Sequence, residues 1–245
     1  MKKYKFEKRL IEGIITSRPN RFIMVVVING KEQKCYCPST GRIGSIDFEN
    51  IPCLLSKSNN PNRKMPHTVE AFSLDPISKK RKSWIGINQV QVNRYVEHFL
   101  KTGQFSRMVG KVKTVQPEVK LGNSRLDFLI NGKDYLEVKT LLRMIPTKGH
   151  PKHREIPVVF TGYDRLIKHF GDIVKKTGTG SRAIVVLCHP YNAKRFTVPK
   201  AGGIGKIIRA ARKAQKKGLE NWQINLKVDP EGVTLIKYFK LNLSL

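Results

Sequence analysis

Three charged residues in the stretch SRLDFLINGKDYLEVKT, residues 124–140, have the types and spacing for metal-assisted chemistry. Glu137 and Lys139 stand two apart in a run that reads as a strand, so both project from one face while Val138 projects from the other. Asp127 lies ten residues before Glu137, on what reads as the partner strand of a hairpin turning near Asn131-Gly132. Two carboxylates suit a hard divalent ion, Mg2+ or Mn2+, and a neighbouring ammonium can orient a metal-bound water. The reaction served by such a set is phosphodiester hydrolysis.

The hairpin carries its own test. With a regular two-residue turn at Asn131-Gly132, Leu126 would oppose Glu137, and Asp127 would face away from it. A three-residue loop, or a bulge at Gly132, restores the other parity and brings Asp127 onto the face of Glu137 and Lys139. The chemistry therefore predicts the odd loop. Glu118, on the preceding strand, and Glu97, on the helix before that, are the acids that would complete a catalytic set of Asp127, Glu137, Lys139, Glu118 and Glu97, with Asp127 and Glu137 as metal ligands. The competing reading is a solvated ladder of ion pairs.

The elements around this hairpin form a strongly basic chain. Lys and Arg number 47 against 18 Asp and Glu, a formal charge of +29. An excess of that size favours a polyanionic partner, here DNA held mostly through its phosphates, with RNA or ribosome association as an alternative. Arg18, Asn20, Arg21, Arg42, Arg63 and Lys64 cluster near expected turns of the first third, where they can reach phosphates. Phe22 and Tyr36 are there to stack on bases or to fill a core. Lys206, Arg209 and Lys213 line a helix expected at 203–217, and a solvated basic face would look the same. His150 and His153, beside Lys148, Lys152 and Arg154, read as a phosphate-contacting loop rather than half a metal site. The four cysteines form no paired zinc knuckles and suit a reducing cytoplasm. The longest apolar run, FIMVVVI, is too short to span a bilayer, so no membrane role is expected.

Two domains are expected. Residues 1–83 contain short strands, with a break at Arg18-Pro19-Asn20 and a turn at Asn29-Gly30, as in a small Greek-key barrel of the OB type. Residues 84–245 alternate helix and strand: a helix ending at Gly103, strands near 117–121, 125–130, 134–139 and 182–190, a helix near 162–175 carrying His169, and a terminal hairpin turning at 229–232. The basic stretch 75–83 reads as the linker. The fold class is α/β, a mixed α+β sheet with flanking helices, preceded by an OB-fold β-barrel. The sequence leaves a homodimer open.

Several blocks in order, RPNRF (18–22), CPSTGRI (37–43), NRKMPHT (62–68), VNRYVEHFL (92–100), EVKLGNSRLDF (118–128) and YLEVKT (135–140), resemble the sugar fermentation stimulation protein family, SfsA. The resemblance implies an N-terminal OB-fold, a C-terminal domain of the PD-(D/E)XK nuclease superfamily, DNA binding, and a part in regulating sugar metabolism, particularly of maltose, in bacteria. It implies that Asp127 is the first-strand acid, that Glu137 and Lys139 are the (D/E)xK pair, and that Glu118 and Arg125 belong to the family's conserved block; a DNA-contacting role for Arg125 goes with it. Glu97 matches the helix acid less closely. The chain departs from the family pattern after Lys139: Pro157, Thr161 and Lys168-His169 fall in related places, but no Asp follows the proline.

Overall fold

A computed structural model of the chain describes residues 2–39, 41–121, 124–154, 180–197, 209 and 212–242. A two-residue strand, β1 (Tyr4–Lys5), precedes the barrel strands β2 (Ile11–Asn20), β3 (Ile23–Ile28), β4 (Lys31–Tyr36), β5 (Ile51–Lys57) and β6 (His67–Ser73). Alternation in β3 buries Met24, Val26 and Ile28 and leaves Ile23, Val25 and Val27 facing outward. The first three barrel strands form a meander, β5 returns beside β2, and a parallel bridge between Tyr36 of β4 and Thr68 of β6 closes the barrel. That is the OB arrangement. Its core gathers Ile15, Met24, Val26, Leu55 and Phe72 with Cys35, Cys37 and Cys53; these thiols and Cys188 are free and buried.

The break expected at Arg18-Pro19-Asn20 does not occur. β2 runs through to Asn20 and turns at Arg21-Phe22, because two register shifts, between Ile15 and Ser17 and between Ser17 and Asn20, leave Pro19 outside the ladder. A residue without an N–H is tolerated at such an irregularity.

Strand β7 (Trp84–Gly86) pairs with β6 on one side, and Ile85 packs in the barrel core. Helix α1 (Gln89–Lys101) follows, with the Asn88 side chain accepting from Gln91 N. It stops at Gly103, whose φ of 72° needs a residue without a β-carbon. Its buried stripe is Val92, Tyr95, Val96, Phe99 and Leu100. After the short α2 (Ser106–Val109) come β8 (Val115–Leu121), β9 (Ser124–Ile130), β10 (Asp134–Thr140), β11 (Arg182–His189), β12 (Leu219–Asp229) and β13 (Gly232–Leu241). Strands β10, β11 and β12 are parallel neighbours, while β8–β9, β9–β10 and β12–β13 are antiparallel, so the sheet is mixed as expected. β7 also pairs with β12, Trp84 against Val228, which makes barrel and mixed sheet one hydrogen-bonded surface.

Ile184, Val186 and Cys188 of β11 pack in the cluster formed with α1, and Ala183 and Val185 pack on the other face with Ala214. Residues 212–216 are helical, within the expected helix. The helix expected near 162–175, with Lys168 and His169, and the positions Pro157, Thr161 and Lys206 lie outside the described residues. No described helix is long and apolar enough to cross a membrane.

Two straps tie the units together. At the start, β1 pairs with β13, Lys3 Nζ meets Asp229 Oδ1 at 2.7 Å, and Phe6 N donates to Glu231 O at 3.0 Å. The second strap leaves β10. Leu142 and Ile145 enter the barrel core, Gly44 N donates to Leu142 O at 2.8 Å, and Thr147 Oγ1 donates to Ser45 O at 3.0 Å. Lys152 pairs with Glu49 at 2.7 Å and Arg154 with Asp47 at 2.5 Å. The loop with His150 and His153 is thus bound to the barrel through Lys152 and Arg154, which answer two acids far away in sequence, while Lys148 stays exposed.

Strand β8 borders the sheet among the described residues. Pro117 has no N–H to offer, and Glu118 adopts a φ of 53°, so one rung is missing between the Pro117–Phe128 and Val119–Leu126 pairs while the register stays unchanged.

Candidate active site and nucleic-acid surface

The hairpin has the odd parity. Asn131 and Gly132 both take left-handed conformations, at φ 53° and 68°, and Lys133 N donates to Ile130 O at 3.1 Å. Yet the ladder pairs Ile130 with Asp134, Leu129 with Tyr135 and Phe128 with Leu136, so three residues intervene, Lys133 being the extra one. The next position in that register sets Asp127 opposite Glu137. The Asn131 side chain holds the turn in place: Oδ1 accepts from Lys113 N at 2.7 Å and from Thr114 N at 3.2 Å, while Nδ2 donates to Lys111 O at 2.9 Å.

The ladder ends at Phe128–Leu136, and the Asp127 carboxylate takes its place. Oδ2 accepts from Val138 N at 2.6 Å and Oδ1 from Asn93 Nδ2 of α1 at 2.7 Å. Glu137 is 4% exposed, and the Lys139 ammonium donates to its Oε1. Burial raises the Asp127 pKa, as does the charge of Glu137, while Val138 N–H, Asn93 and Lys139 lower it. At the base of the same strand Asp134, fully buried, receives two parallel hydrogen bonds from Arg182, at 2.9 and 2.6 Å, which locks β10 to β11.

Asp127 and Glu137 fit a hard divalent cation: they are oxygen donors placed opposite each other, and the Glu137 carboxylate makes the Asp127 charge costlier until a cation lies between them. The further expected acids do not join them. Glu118 pairs with Arg125 at 3.1 Å, both side chains more than 70% exposed, and Glu97 pairs with Lys101 at 2.6 Å, one turn along α1. Among the described residues no three His, Cys, Asp or Glu side chains gather as a metal site. The helix turns an amide to the hairpin where the sequence predicts an acid. Asn93 precedes Glu97 by one turn, so the signal lay in the same VNRYVEHFL block.

The basic residues of the barrel divide by role. Arg18 Nη2 donates to the carbonyls of Arg21, Ser39 and Gly41, at 3.1, 3.4 and 3.1 Å, and its guanidinium lies 5.8 Å from the Phe48 ring centroid. Asn20 Oδ1 accepts from Phe22 N at 2.9 Å and from Ile23 N at 3.0 Å. These two build the turn. Arg21 lies over the Phe22 ring at 4.8 Å, and Arg63 over Tyr36 at 5.4 Å while donating to Thr68 Oγ1 at 3.1 Å. Arg42, Lys64, Arg209 and Lys213 are exposed or partly so.

A closed OB barrel joined to a mixed sheet that carries an acid–(D/E)xK hairpin defines an α+β protein with an N-terminal OB fold. The chain matches the family models described as the SfsA N-terminal OB domain, over residues 16–87, and the sugar fermentation stimulation protein RE domain, over residues 90–232. It belongs to the sugar fermentation stimulation protein family. Curated relatives include the sugar fermentation stimulation protein homologs of Pseudoalteromonas atlantica, 33% identical with 94% of this chain and 96% of that one covered, and of Clostridium perfringens, 29% identical with 95% and 96% covered. Pyrococcus furiosus SfsA, solved in complex with Ca2+, superposes with a TM-score of 0.73 at 19% identity, all of both chains covered.

Proposed function

We propose that the protein is a cytoplasmic DNA-binding protein whose C-terminal domain hydrolyses phosphodiester bonds with a divalent cation, Mg2+ or Mn2+. The observation that carries this is the opposition of Asp127 and Glu137 across the hairpin with Lys139 on Glu137. Support for a cation comes from the Ca2+ complex of the Pyrococcus furiosus relative. Asp127 and Glu137 would hold the ion, which when bound supplies charge neutralisation and an acidified water. Asn93 and Val138 N–H fix the Asp127 carboxylate, and Arg182 fixes the strand that bears Glu137. Lys139 shares its ammonium with Glu137 and orients a water or the scissile phosphate. The formal charge of +29 supports backbone-dominated DNA binding.

A second reading keeps the DNA binding without the cutting, as in a regulator of sugar-metabolism genes. It is favoured by the absence of a third acid at the pair among the described residues. Labelled duplex DNA and RNA, incubated with Mg2+, Mn2+ or EDTA, separate the readings. Metal-dependent cleavage that Lys139→Ala abolishes supports the hydrolase. DNA binding without cleavage leaves the regulator, and a preference for RNA with no metal dependence removes both.

A further inference from the structure

A cavity of about 440 Å3 lies between the N-terminal segment, the end of β5 and the start of α1, and neither Asp127 nor Glu137 lines it. Tyr4, Phe6, Leu10, Ile11 and Leu55 supply an apolar lining, in which Ile11 is 38% exposed. Lys8, Arg9, Lys57 and Arg94 outnumber Glu7 and Glu70 among the charged residues around it. Glu70 is the buried charge of the set: Oε1 accepts from Ser56 Oγ at 2.6 Å and Oε2 from Asn88 Nδ2 at 2.8 Å. A carboxylate offers about four acceptor positions, so roughly two remain for a ligand. Burial raises the Glu70 pKa against these two hydrogen bonds, and further donors would stabilise the charge. Lys8 donates to Asn59 Oδ1 at 2.7 Å and Arg9 pairs with Glu231 at 2.8 Å, whereas Lys57 and Arg94 are exposed and make no ion pair among the described residues. Phe6 N and Leu10 N donate to Glu231 O and Pro230 O, at 3.0 and 2.8 Å, so the N-terminal wall stands before any ligand arrives.

We propose that this cavity binds a free guanine mononucleotide, with the paired N–H donors of the base on Glu70 and the phosphate on Lys57 and Arg94. The site goes beyond the hydrolase reading and does not depend on it. A wholly anionic ligand would meet the buried carboxylate, and a cationic one would meet Lys57 and Arg94. The occupant therefore carries donors at one end and negative charge at the other. An amino acid has that polarity but would leave most of the 440 Å3 empty, whereas a mononucleotide fills such a space and lays a flat base on the apolar lining. Guanine presents its ring N1–H and its exocyclic amine side by side, which matches the two oxygens of a carboxylate. Adenine and cytosine set a ring acceptor beside their amine, and that lone pair would face the second oxygen.

The test is isothermal titration calorimetry of the full chain in EDTA with GMP, guanosine, AMP and inorganic phosphate. EDTA keeps metal from the Asp127–Glu137 pair, so failure here leaves the hydrolase reading untouched, and failure of DNA cleavage leaves this one standing. GMP should bind about tenfold or more tighter than AMP. Glu70→Gln should weaken GMP and guanosine alike, by about tenfold or more. The double change Lys57→Gln and Arg94→Gln should weaken GMP about fivefold, with guanosine altered less than about twofold. Circular dichroism melts check the fold of Glu70→Gln, and the double variant, which alters exposed residues alone, decides the matter if that one does not fold. No binding of GMP, equal affinity for AMP and GMP, GMP bound no tighter than phosphate, or a double variant that loses guanosine as much as GMP would overturn the proposal. So would displacement of GMP by a guanine-bearing oligonucleotide at equal nucleotide concentration, which would give the site to a nucleic-acid strand.

Discussion

Asp127 Oδ2 accepts the backbone N–H of Val138 at 2.6 Å, so a side-chain carboxylate occupies the rung where the β9–β10 ladder stops. A charge that burial and Glu137 make costly is thereby fixed in place. Its ionisation penalty is absent below the unfolded carboxyl pKa and is fully present once pH has risen through the raised folded value. A divalent cation relieves that penalty. Thermal melts with Mg2+ or Ca2+ against EDTA should show stabilisation of about 2.7 kcal/mol at a hundredfold excess over Kd, growing as pH rises through that range. Glu137→Gln should remove the increment; an equal increment in that variant would place the ion elsewhere.

The Arg182–Asp134 pair invites a different measurement. Asp134 is fully buried, and its two hydrogen bonds from Arg182 neutralise it. Arg182→Met should cost roughly 3 kcal/mol in urea unfolding, because the carboxylate stays buried without its partner. Arg182→Lys should cost less, since an ammonium keeps the charge but not the parallel pair of bonds.

What the sequence made legible follows from the range of the interactions. The parity of the β9–β10 hairpin could be argued from the alternation of Glu137, Val138 and Lys139 and the demands of the proposed chemistry. Barrel and mixed sheet followed from short alternating strands and from a helix whose stripe and glycine stop are local signals. Asn93 is not legible in α1, because an amide that orients a carboxylate has no charge to betray it. The strap from β10 escaped because its ion pairs join distant parts of the chain: Lys152 meets Glu49 across 103 positions, and Arg154 meets Asp47 over a similar span. For the same reason Arg18 read as a phosphate ligand, although three carbonyls already hold it.

His189 gives a pH signature. It is 4% exposed, neither ring nitrogen has a hydrogen-bond partner among the described residues, and burial pulls its pKa from 6.5 to about 4. The unfolded chain therefore binds the extra proton between those values, so the stability this residue contributes is complete above pH 6.5 and lost as pH falls toward 4. Urea titrations should show His189→Phe removing about 2 kcal/mol of the decline between about pH 7 and 5. An identical decline in the variant would assign the acid sensitivity to other groups.

Thr147 tests the strap. Its hydroxyl, 2% exposed, bonds Ser45 O and His153 Nδ1, each at 3.0 Å. Thr147→Val keeps the shape and strands both partners, which should lower stability by about 1–3 kcal/mol. A shift of the urea midpoint too small to measure would mean that the strap is held by its ion pairs instead.

The border formed by Pro117 and Glu118 bears on how copies of the molecule can meet. An approaching strand finds one position with no proton to share and, beside it, a backbone bent out of the extended path, so growth by adding rung after rung stalls there. If two chains associate along this side, their contact must be made by side chains fitted to one another, a surface that selection can tune residue by residue, and not by a seam of main-chain bonds open to any passing strand.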